Sequence, residues 1–185
     1  MKSLLILPFA LAAVLSQATA APPSVGQRAP DFTLAAVSGA TVRLSEVIPK
    51  GPVVLVVLRG YRGYQCPYCN RQVQDFIQNA QGFAEAGVRL IMAYPGPPKD
   101  LAVKASEFLT GKKLPNNFDL LLDPGYEFTN LYGLRWDALN ETAYPSTFLI
   151  DAQGVIFFSK IVKVHGGRTT AAEILDALPK RKAAR

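Results

Sequence analysis

The two cysteines of this chain lie three residues apart. The sequence has 185 residues and only 2 Cys, and both fall in the segment Cys-Pro-Tyr-Cys at residues 66–69. Two thiols at this spacing can alternate between a dithiol and a disulfide, because Cys69 lies one helical turn from Cys66 and can attack a mixed disulfide formed there. Cys66 is therefore the candidate nucleophile and Cys69 the candidate resolving thiol.

A strand before this pair and a helix after it are predicted to position the sulfurs. Residues 53–58 are continuously apolar, which is typical of a strand buried on both faces of a parallel sheet. Apolar residues at helical spacing follow from Val73, and Gly87 can end that helix. Pro67 suits a first helical position, so Cys66 is expected at the helix N-terminus, where unpaired N–H groups stabilise a thiolate. A strand, a loop and a helix that begins at Cys-x-x-Cys form the redox motif of a thioredoxin-like unit.

The rest of the pattern predicts an α/β, thioredoxin-like fold with an N-terminal β-hairpin extension and one inserted helix. The expected elements are a hairpin over 31–44, a strand over 88–93 that ends before a break at 95–98, a helix over 101–109, a strand over 118–122, a helix over 126–132, a hairpin over 146–164 and a helix from 170 to 179. Thr170 with Glu173 three residues later is a capping box for that last helix.

The N-terminus has the pattern of a secretory signal peptide. Lys2 supplies the positive charge, residues 4–15 the apolar stretch, and Ala18-Thr19-Ala20 the small-residue cleavage site. The apolar stretch is too short to span a membrane. We therefore predict a signal peptide at 1–20, cleavage after Ala20, no membrane span in the mature chain, and a secreted or periplasmic protein.

The remaining chain is the right length for one domain, which we place at residues 21–180, followed by a basic tail at 181–185. The formal net charge of +6 comes partly from that tail. No basic patch with interleaved aromatic residues accompanies it, so no nucleic-acid partner is predicted. We expect no cofactor, and the sequence leaves the oligomeric state open.

Three segments resemble the redoxin branch of the thioredoxin superfamily, the group of alkyl hydroperoxide reductases and thiol-specific antioxidants. They are residues 29–32, 53–56 and 145–151. Arg62-Gly63 ahead of the cysteine pair is similar to a peroxiredoxin-like subgroup with the signature Arg-Gly-x-x-Cys-Pro-x-Cys. The resemblance covers most of the chain after residue 20 and implies a thiol-dependent oxidoreductase.

The resemblance also implies where a substrate binds. Pro145 matches the cis-proline that faces the Cys-x-x-Cys of thioredoxin-like proteins, and such a bond leaves the backbone of Tyr144 free to pair with an extended substrate. A trans proline at a strand start is the alternative. We place Pro145, Tyr144 and Arg62 in the candidate substrate-binding site.

Departures from the family pattern affect the reaction. Peroxiredoxins carry Pro-x-x-x-Thr-x-x-Cys, but Arg59 stands at the proline position and Gly63 at the threonine position. The family arginine before the Thr-Phe strand falls on Pro145, so three of the four peroxide-site groups are missing. Arg62 and Arg135 are the candidates to replace that arginine.

Three functional hypotheses follow. The first is a thiol-disulfide oxidoreductase acting on protein thiols or disulfides. The second is a peroxidase that reduces hydroperoxides through a sulfenic acid at Cys66 and needs a reducing partner. The third is a copper chaperone that uses Cys66, Cys69 and the only histidine, His165, because thiolates suit Cu(I).

The charges near the motif predict an oxidising couple. Arg59 and Arg62 border it, and residues 53–58 contain no acid that could act as a buried general base. Positive neighbours lower the pKa of Cys66 and stabilise the reduced form. We therefore expect a reduction potential above thioredoxin's value of about −270 mV.

Overall fold

The computed structural model describes residues 20–179. The predicted signal peptide, apart from Ala20, and the basic tail at 181–185 lie outside the described residues. None of the helices formed by the described residues has the length and apolar character needed to cross a membrane.

Strands and helices alternate through most of the described chain. The strands are β1 Thr33–Ala36, β2 Thr41–Arg43, β3 Val53–Val57, β4 Arg89–Gly96, β5 Phe118–Pro124, β6 Ser146–Ile150 and β7 Ile156–Ile161. The helices are α1 Leu44–Val47, α2 Pro67–Gln78, α3 Ala80–Glu85, α4 Leu101–Phe108, α5 Glu127–Leu131 and α6 Ala171–Ala177, with a 3-10 turn at Ile48–Lys50.

All seven strands form one sheet in the order β2-β1-β5-β4-β3-β6-β7. β3 pairs in parallel with β4 and antiparallel with β6, and β6 pairs antiparallel with β7. β3 and β7 therefore run in the same direction. The residues after β3, before β6 and after β7 consequently meet at one edge of the sheet, which we call the cysteine edge.

Alternate residues of β3 pack on opposite faces of the sheet. Val54 and Val56 belong to a core that includes both cysteines and Phe76 of α2, whereas Leu55 packs in a second core on the other face. Burying a side chain of this size stabilises the fold by about 1.5–3 kcal/mol. The cysteine pair is therefore anchored to the main hydrophobic core and not to a mobile loop.

The α/β architecture and the N-terminal hairpin are as predicted, but the helix expected from Cys66 to Gly87 is divided in two. Asn79 separates α2 from α3 with φ −103° and ψ 18°. Its side-chain amide donates to the carbonyl of Asp75 at 2.8 Å, and such bonds compete with helix continuation.

The break predicted at residues 95–98 is also displaced, because β4 continues through Pro95 and Gly96. The pairing with β3 ends at Ala93, so the missing N–H of Pro95 interrupts no bond to that strand. The Pro95 carbonyl accepts a hydrogen bond from the Tyr61 N–H at 3.0 Å. The end of β4 therefore supports the loop that leads to Cys66.

Candidate active site

Cys66 lies at the N-cap of α2, as predicted. Its backbone is extended, with φ −72° and ψ 117°, and Pro67 is the first helical residue. Both cysteines are free thiols, and Cys66 and Cys69 are 2% and 0% exposed. The helix places the two sulfurs on its inner face, at the cysteine edge.

The loop between β3 and Cys66 depends on Gly60. This residue has φ +69°, and a Cβ atom there would lie 1.9 Å from the carbonyl oxygen of Pro95. Only glycine adopts this conformation without strain at such a close approach. The chain can therefore turn tightly over the end of β4 before it reaches Cys66.

The guanidinium of Arg168 lies over both sulfurs. Its Nη1 is 3.3 Å from Cys69 Sγ, and its Nη2 is 3.8 Å from Cys66 Sγ. The Nε donates to the carbonyl of His165 at 2.9 Å, and Nη1 also reaches Gln72 Oε1 at 3.4 Å. These contacts fix a positive charge beside the cysteine pair.

The two thiols differ in acidity. A hydrogen bond from the Cys69 thiol lowers the pKa of Cys66 to about 5 against the opposing effect of burial, and the Arg168 charge and backbone N–H groups contribute further. Complete burial and the same thiol–thiolate hydrogen bond raise the pKa of Cys69 well above its ordinary value. At neutral pH the pair therefore holds one thiolate, on Cys66, and one thiol, on Cys69.

Arg59 is buried and paired with an acid, whereas the sequence predicted it only as a positive neighbour of the cysteines. Its side chain is 1% exposed, and Nε donates to Glu141 Oε2 at 2.5 Å. His165 Nε2 lies 2.8 Å from the other oxygen of Glu141. Burial opposes ionisation of Glu141, but the hydrogen bonds from Arg59 and His165 lower its pKa. The Arg59 charge is therefore neutralised locally.

The two arginines proposed as replacements for the family arginine lie elsewhere. Arg62 is exposed on its loop. Arg135 donates to the carbonyls of Trp136 and Thr142, both at 2.6 Å, and so holds its own loop. Sequence reasoning missed Arg168, which follows β7. The predicted hairpin could have indicated it. The second strand of that hairpin, β7, runs in the same direction as β3, so the residues after it lie at the edge where Cys66 lies.

The expected substrate-pairing backbone is already used within the chain. The peptide bond before Pro145 is trans, because none of the bonds of residues 20–179 is cis. The Tyr144 N–H donates to the Leu134 carbonyl at 2.9 Å, and the Tyr144 carbonyl accepts from Ser146 Oγ at 2.8 Å. The prediction of a cis-proline is therefore wrong, and the Tyr144 N–H and carbonyl already have partners within the chain. The assignment of Pro145 and Tyr144 to a substrate-binding site stays a prediction.

The predicted third copper ligand is not beside the thiols. His165 Nε2 contacts Glu141, and within residues 20–179 no three His, Cys, Asp or Glu side chains are grouped so that they could hold a metal. The hypothesis of a three-ligand copper site with Cys66, Cys69 and His165 is therefore wrong.

Comparisons with known proteins agree with this architecture. Residues 25–159 match the sequence model of the AhpC/TSA family. The chain is 32% identical over 133 residues to chloroplastic peroxiredoxin Q from Oryza sativa subsp. japonica, covering 72% of this chain and 57% of the relative. It is 28% identical over 145 residues to the thiol-disulfide oxidoreductase ResA from Halalkalibacterium halodurans, covering 78% and 70%. The chain thus spans less than two thirds of the peroxiredoxin Q relative.

Solved structures show the same fold. The peroxidoxin BcpB from Mycobacterium tuberculosis superposes with a TM-score of 0.64 and 23% identity, covering 83% of this chain and 95% of that one. This similarity confirms the thioredoxin-like α/β fold. Because the family model matches most of the sequence, this protein belongs to the AhpC/TSA family.

Proposed function

We propose that this chain is a thiol-disulfide oxidoreductase in which Cys66 is the nucleophile and Cys69 the resolving thiol. The observation that carries this proposal is the division of charge between the two sulfurs beneath Arg168, which lies 3.3 Å from Cys69 Sγ. A thiolate beside a protonated thiol is the arrangement that thiol-disulfide exchange requires. A relative named as a thiol-disulfide oxidoreductase supports the assignment.

The reaction uses only the two sulfurs of this chain. The Cys66 thiolate attacks one sulfur of a substrate disulfide, forms a mixed disulfide and releases the other substrate sulfur as a thiolate. Cys69 then gives its proton to the released thiolate and attacks Cys66, which frees the second substrate sulfur. The substrate gains two electrons, and the enzyme ends with a Cys66–Cys69 disulfide. With a reduced substrate and an oxidised enzyme the same steps run backwards.

The surroundings of Cys66 favour a disulfide over a hydroperoxide. Gly63, at the family threonine position, is exposed and offers no hydroxyl, and open space surrounds the position of its missing Cβ. Arg59, at the family proline position, is neutralised by Glu141. The family threonine and proline that flank a bound peroxide are thus both absent, whereas thiol exchange needs neither.

Hydroperoxide reduction is the second candidate, because Arg168 Nη2 lies 3.8 Å from Cys66 Sγ and one relative is named peroxiredoxin Q. In that reaction the thiolate takes one peroxide oxygen and becomes a sulfenic acid, and the rest leaves as an alcohol or water. Condensation with the Cys69 thiol then releases water and forms the same disulfide. A separate reductant must return the pair to the dithiol.

The Cys69→Ser variant distinguishes the two candidates. We expect it to accumulate a mixed disulfide between Cys66 and a protein partner, which mass spectrometry identifies, because no resolving thiol remains. Absence of an adduct together with rapid hydrogen peroxide consumption by the wild type would favour the peroxidase. Full activity in Cys66→Ser would exclude Cys66 as the nucleophile in both reactions.

An oxidising potential is part of the same proposal. Stabilising the Cys66 thiolate favours the reduced form, so equilibration with glutathione should give a potential above thioredoxin's value of about −270 mV. A potential at or below that value would contradict the proposed role of the thiolate.

Export is also proposed, from residues 1–20 alone. Mass spectrometry of the native protein should find Ala21 at its N-terminus and the protein outside the cytoplasm. An intact Met1 or a cytoplasmic protein would contradict the signal peptide.

A further inference from the structure

A groove beside α2 shares the Arg168 side chain with the cysteine pair. It lies between the first turns of α2 and residues 166–170, and it has a volume of about 250 Å³. Tyr68, Arg71 and Arg168 are among its walls. The Arg168 guanidinium also touches both sulfurs, so this side chain links the groove to the reacting atoms.

The groove has an excess of positive charge. Arg71 is exposed and lies 4.6 Å above the ring of Tyr68, and within residues 20–179 it has no carboxylate partner. Arg168 contacts sulfurs and neutral oxygens. The one acid in the wall, Asp75, accepts hydrogen bonds from the Ala171 N–H at 2.7 Å and from the Asn79 amide at 3.1 Å. The Arg71 guanidinium is therefore available to a carboxylate from outside.

Exposed apolar side chains lie on the loops that carry the site residues. Tyr64, Tyr68, Leu139 and Val164 are 47%, 40%, 86% and 60% exposed. They project from three different loops and from the first turn of α2. Contact with all of them requires an occupant larger than a low-molecular-weight thiol. Exposed aromatic and aliphatic residues around a polar site are typical of protein-binding surfaces.

We propose that this surface, defined as the groove and these four apolar residues, binds a protein substrate whose disulfide lies beside acidic residues. The inference rests on the proposed thiol-disulfide exchange and names its substrate class. A carboxylate of the substrate pairs with Arg71, apolar neighbours of the disulfide contact Tyr68 and Val164, and the disulfide is thereby presented to Cys66. The charge of Arg71 favours acidic substrates, and the exposed apolar residues contribute binding energy.

Three peptides that differ only in charge test this inference. Each contains one internal disulfide flanked by two Glu, two Gln or two Lys residues, and the rate of its reduction by the reduced protein is measured after acid quenching. The Glu peptide should react about two- to fivefold faster than the Gln peptide, the factor that one exposed ion pair contributes, and the Lys peptide should be slowest. Raising the ionic strength above 0.1 M, where the Debye length is about 10 Å, should reduce the differences.

Two variants with equal changes in net charge locate the effect. Arg71→Glu should abolish or reverse the preference for the Glu peptide. Lys50→Glu should keep it, because Lys50 is exposed before β3, at the opposite edge of the sheet. Loss of the preference in both variants would show a general charge effect and overturn the assigned surface.

The remaining outcomes separate the two proposals. Equal rates for the three peptides would overturn the acidic-substrate inference and leave the thiol-disulfide activity intact. Oxidised glutathione reacting faster than the Glu peptide would assign the groove to a small anionic disulfide and overturn the protein substrate. No reaction with any peptide, with oxidised glutathione or with the neutral disulfide of 2-mercaptoethanol would overturn the proposed function and this inference together.

Discussion

Two arginines flank the cysteine pair, and their surroundings give them opposite roles. Arg59 is buried and ion-paired with Glu141 at 2.5 Å. Arg168 has no carboxylate partner within residues 20–179 and lies 3.3 Å from Cys69 Sγ. An arginine paired with an acid contributes little net charge to its neighbours, whereas an unpaired one acts on the thiols directly. Arg168 therefore stabilises the thiolate, and Arg59 holds the loop before β6.

The largest expected effect is a loss of stability when the ion pair between Arg59 and Glu141 is broken. Glu141→Gln leaves the Arg59 guanidinium buried without a counter-charge, so we expect the free energy of unfolding to fall by about 3–5 kcal/mol in urea titrations. Asp119→Asn is the matched control. It breaks the ion pair with Arg89, whose side chain is 39% exposed, and should cost about 1 kcal/mol.

A double variant examines the reason for that loss. If the unpaired charge causes it, Arg59→Met combined with Glu141→Met should be more stable than Glu141→Gln alone, because no buried charge remains. Equal losses for Glu141→Gln and Asp119→Asn would contradict the structural role assigned to Arg59.

The second effect is on the pKa of Cys66 and the reduction potential, and it follows from the loss of Arg168. Arg168→Met removes the cation that lies beside both sulfurs, so the pKa of Cys66 should rise from about 5 by about 1–2 units. The reduction potential at pH 7 should fall by about 30–60 mV, since the reduced form loses stabilisation. Thiolate absorbance at 240 nm measures the pKa directly.

Arg62→Met is the control for this prediction. It removes an exposed arginine four residues before Cys66, and it should leave the thiolate titration unchanged. An equal shift in both variants would mean that total charge, and not the contact of Arg168 with the sulfurs, sets the pKa.

The third prediction is the pH dependence of the potential. Below the Cys66 pKa of about 5, reduction by two electrons takes up two protons, so the potential should fall by about 59 mV per pH unit. Above it Cys66 stays a thiolate, one proton is taken up by Cys69, and the slope should be about 30 mV per unit. In Arg168→Met the change of slope should move to higher pH. A single slope from pH 4 to pH 8 would contradict the assigned thiolate.

Local patterns in the sequence were sufficient for the fold and for the position of the cysteines. The apolar run at 53–58, the proline after Cys66 and the cap at Thr170 each act within a few residues, and the structure confirms them, including the bond from the Glu173 N–H to Thr170 Oγ1 at 3.2 Å. The Glu173 carboxylate binds Lys160 at 2.9 Å, so the reciprocal half of the predicted capping box does not form. The family resemblance then supplied the thioredoxin-like arrangement of these elements.

The charges around the sulfurs could not be predicted in the same way, because they depend on contacts between distant parts of the chain. Arg59 and Glu141 are 82 residues apart, and Arg168 and Cys66 are 102 apart. The expectation of a lowered Cys66 pKa agrees with the structure, but the arginine that touches the sulfurs is Arg168, and not Arg59 or Arg62. Proximity in sequence identifies some of the charges near a site. The ion pairs that those charges make with distant residues decide which of them lower the pKa of the thiol.

The smallest expected effect concerns His165, which connects the two arginines. Its side chain contacts Glu141, but its backbone carbonyl accepts the Arg168 Nε at 2.9 Å. His165→Asn removes the first contact and keeps the second. The free energy of unfolding should therefore fall by about 1 kcal/mol, while the pKa of Cys66 should change by less than about 0.3 units. A large change in the Cys66 pKa with little loss of stability would mean that the imidazole itself positions Arg168. Arg59, Glu141, His165 and Arg168 would then act as one network.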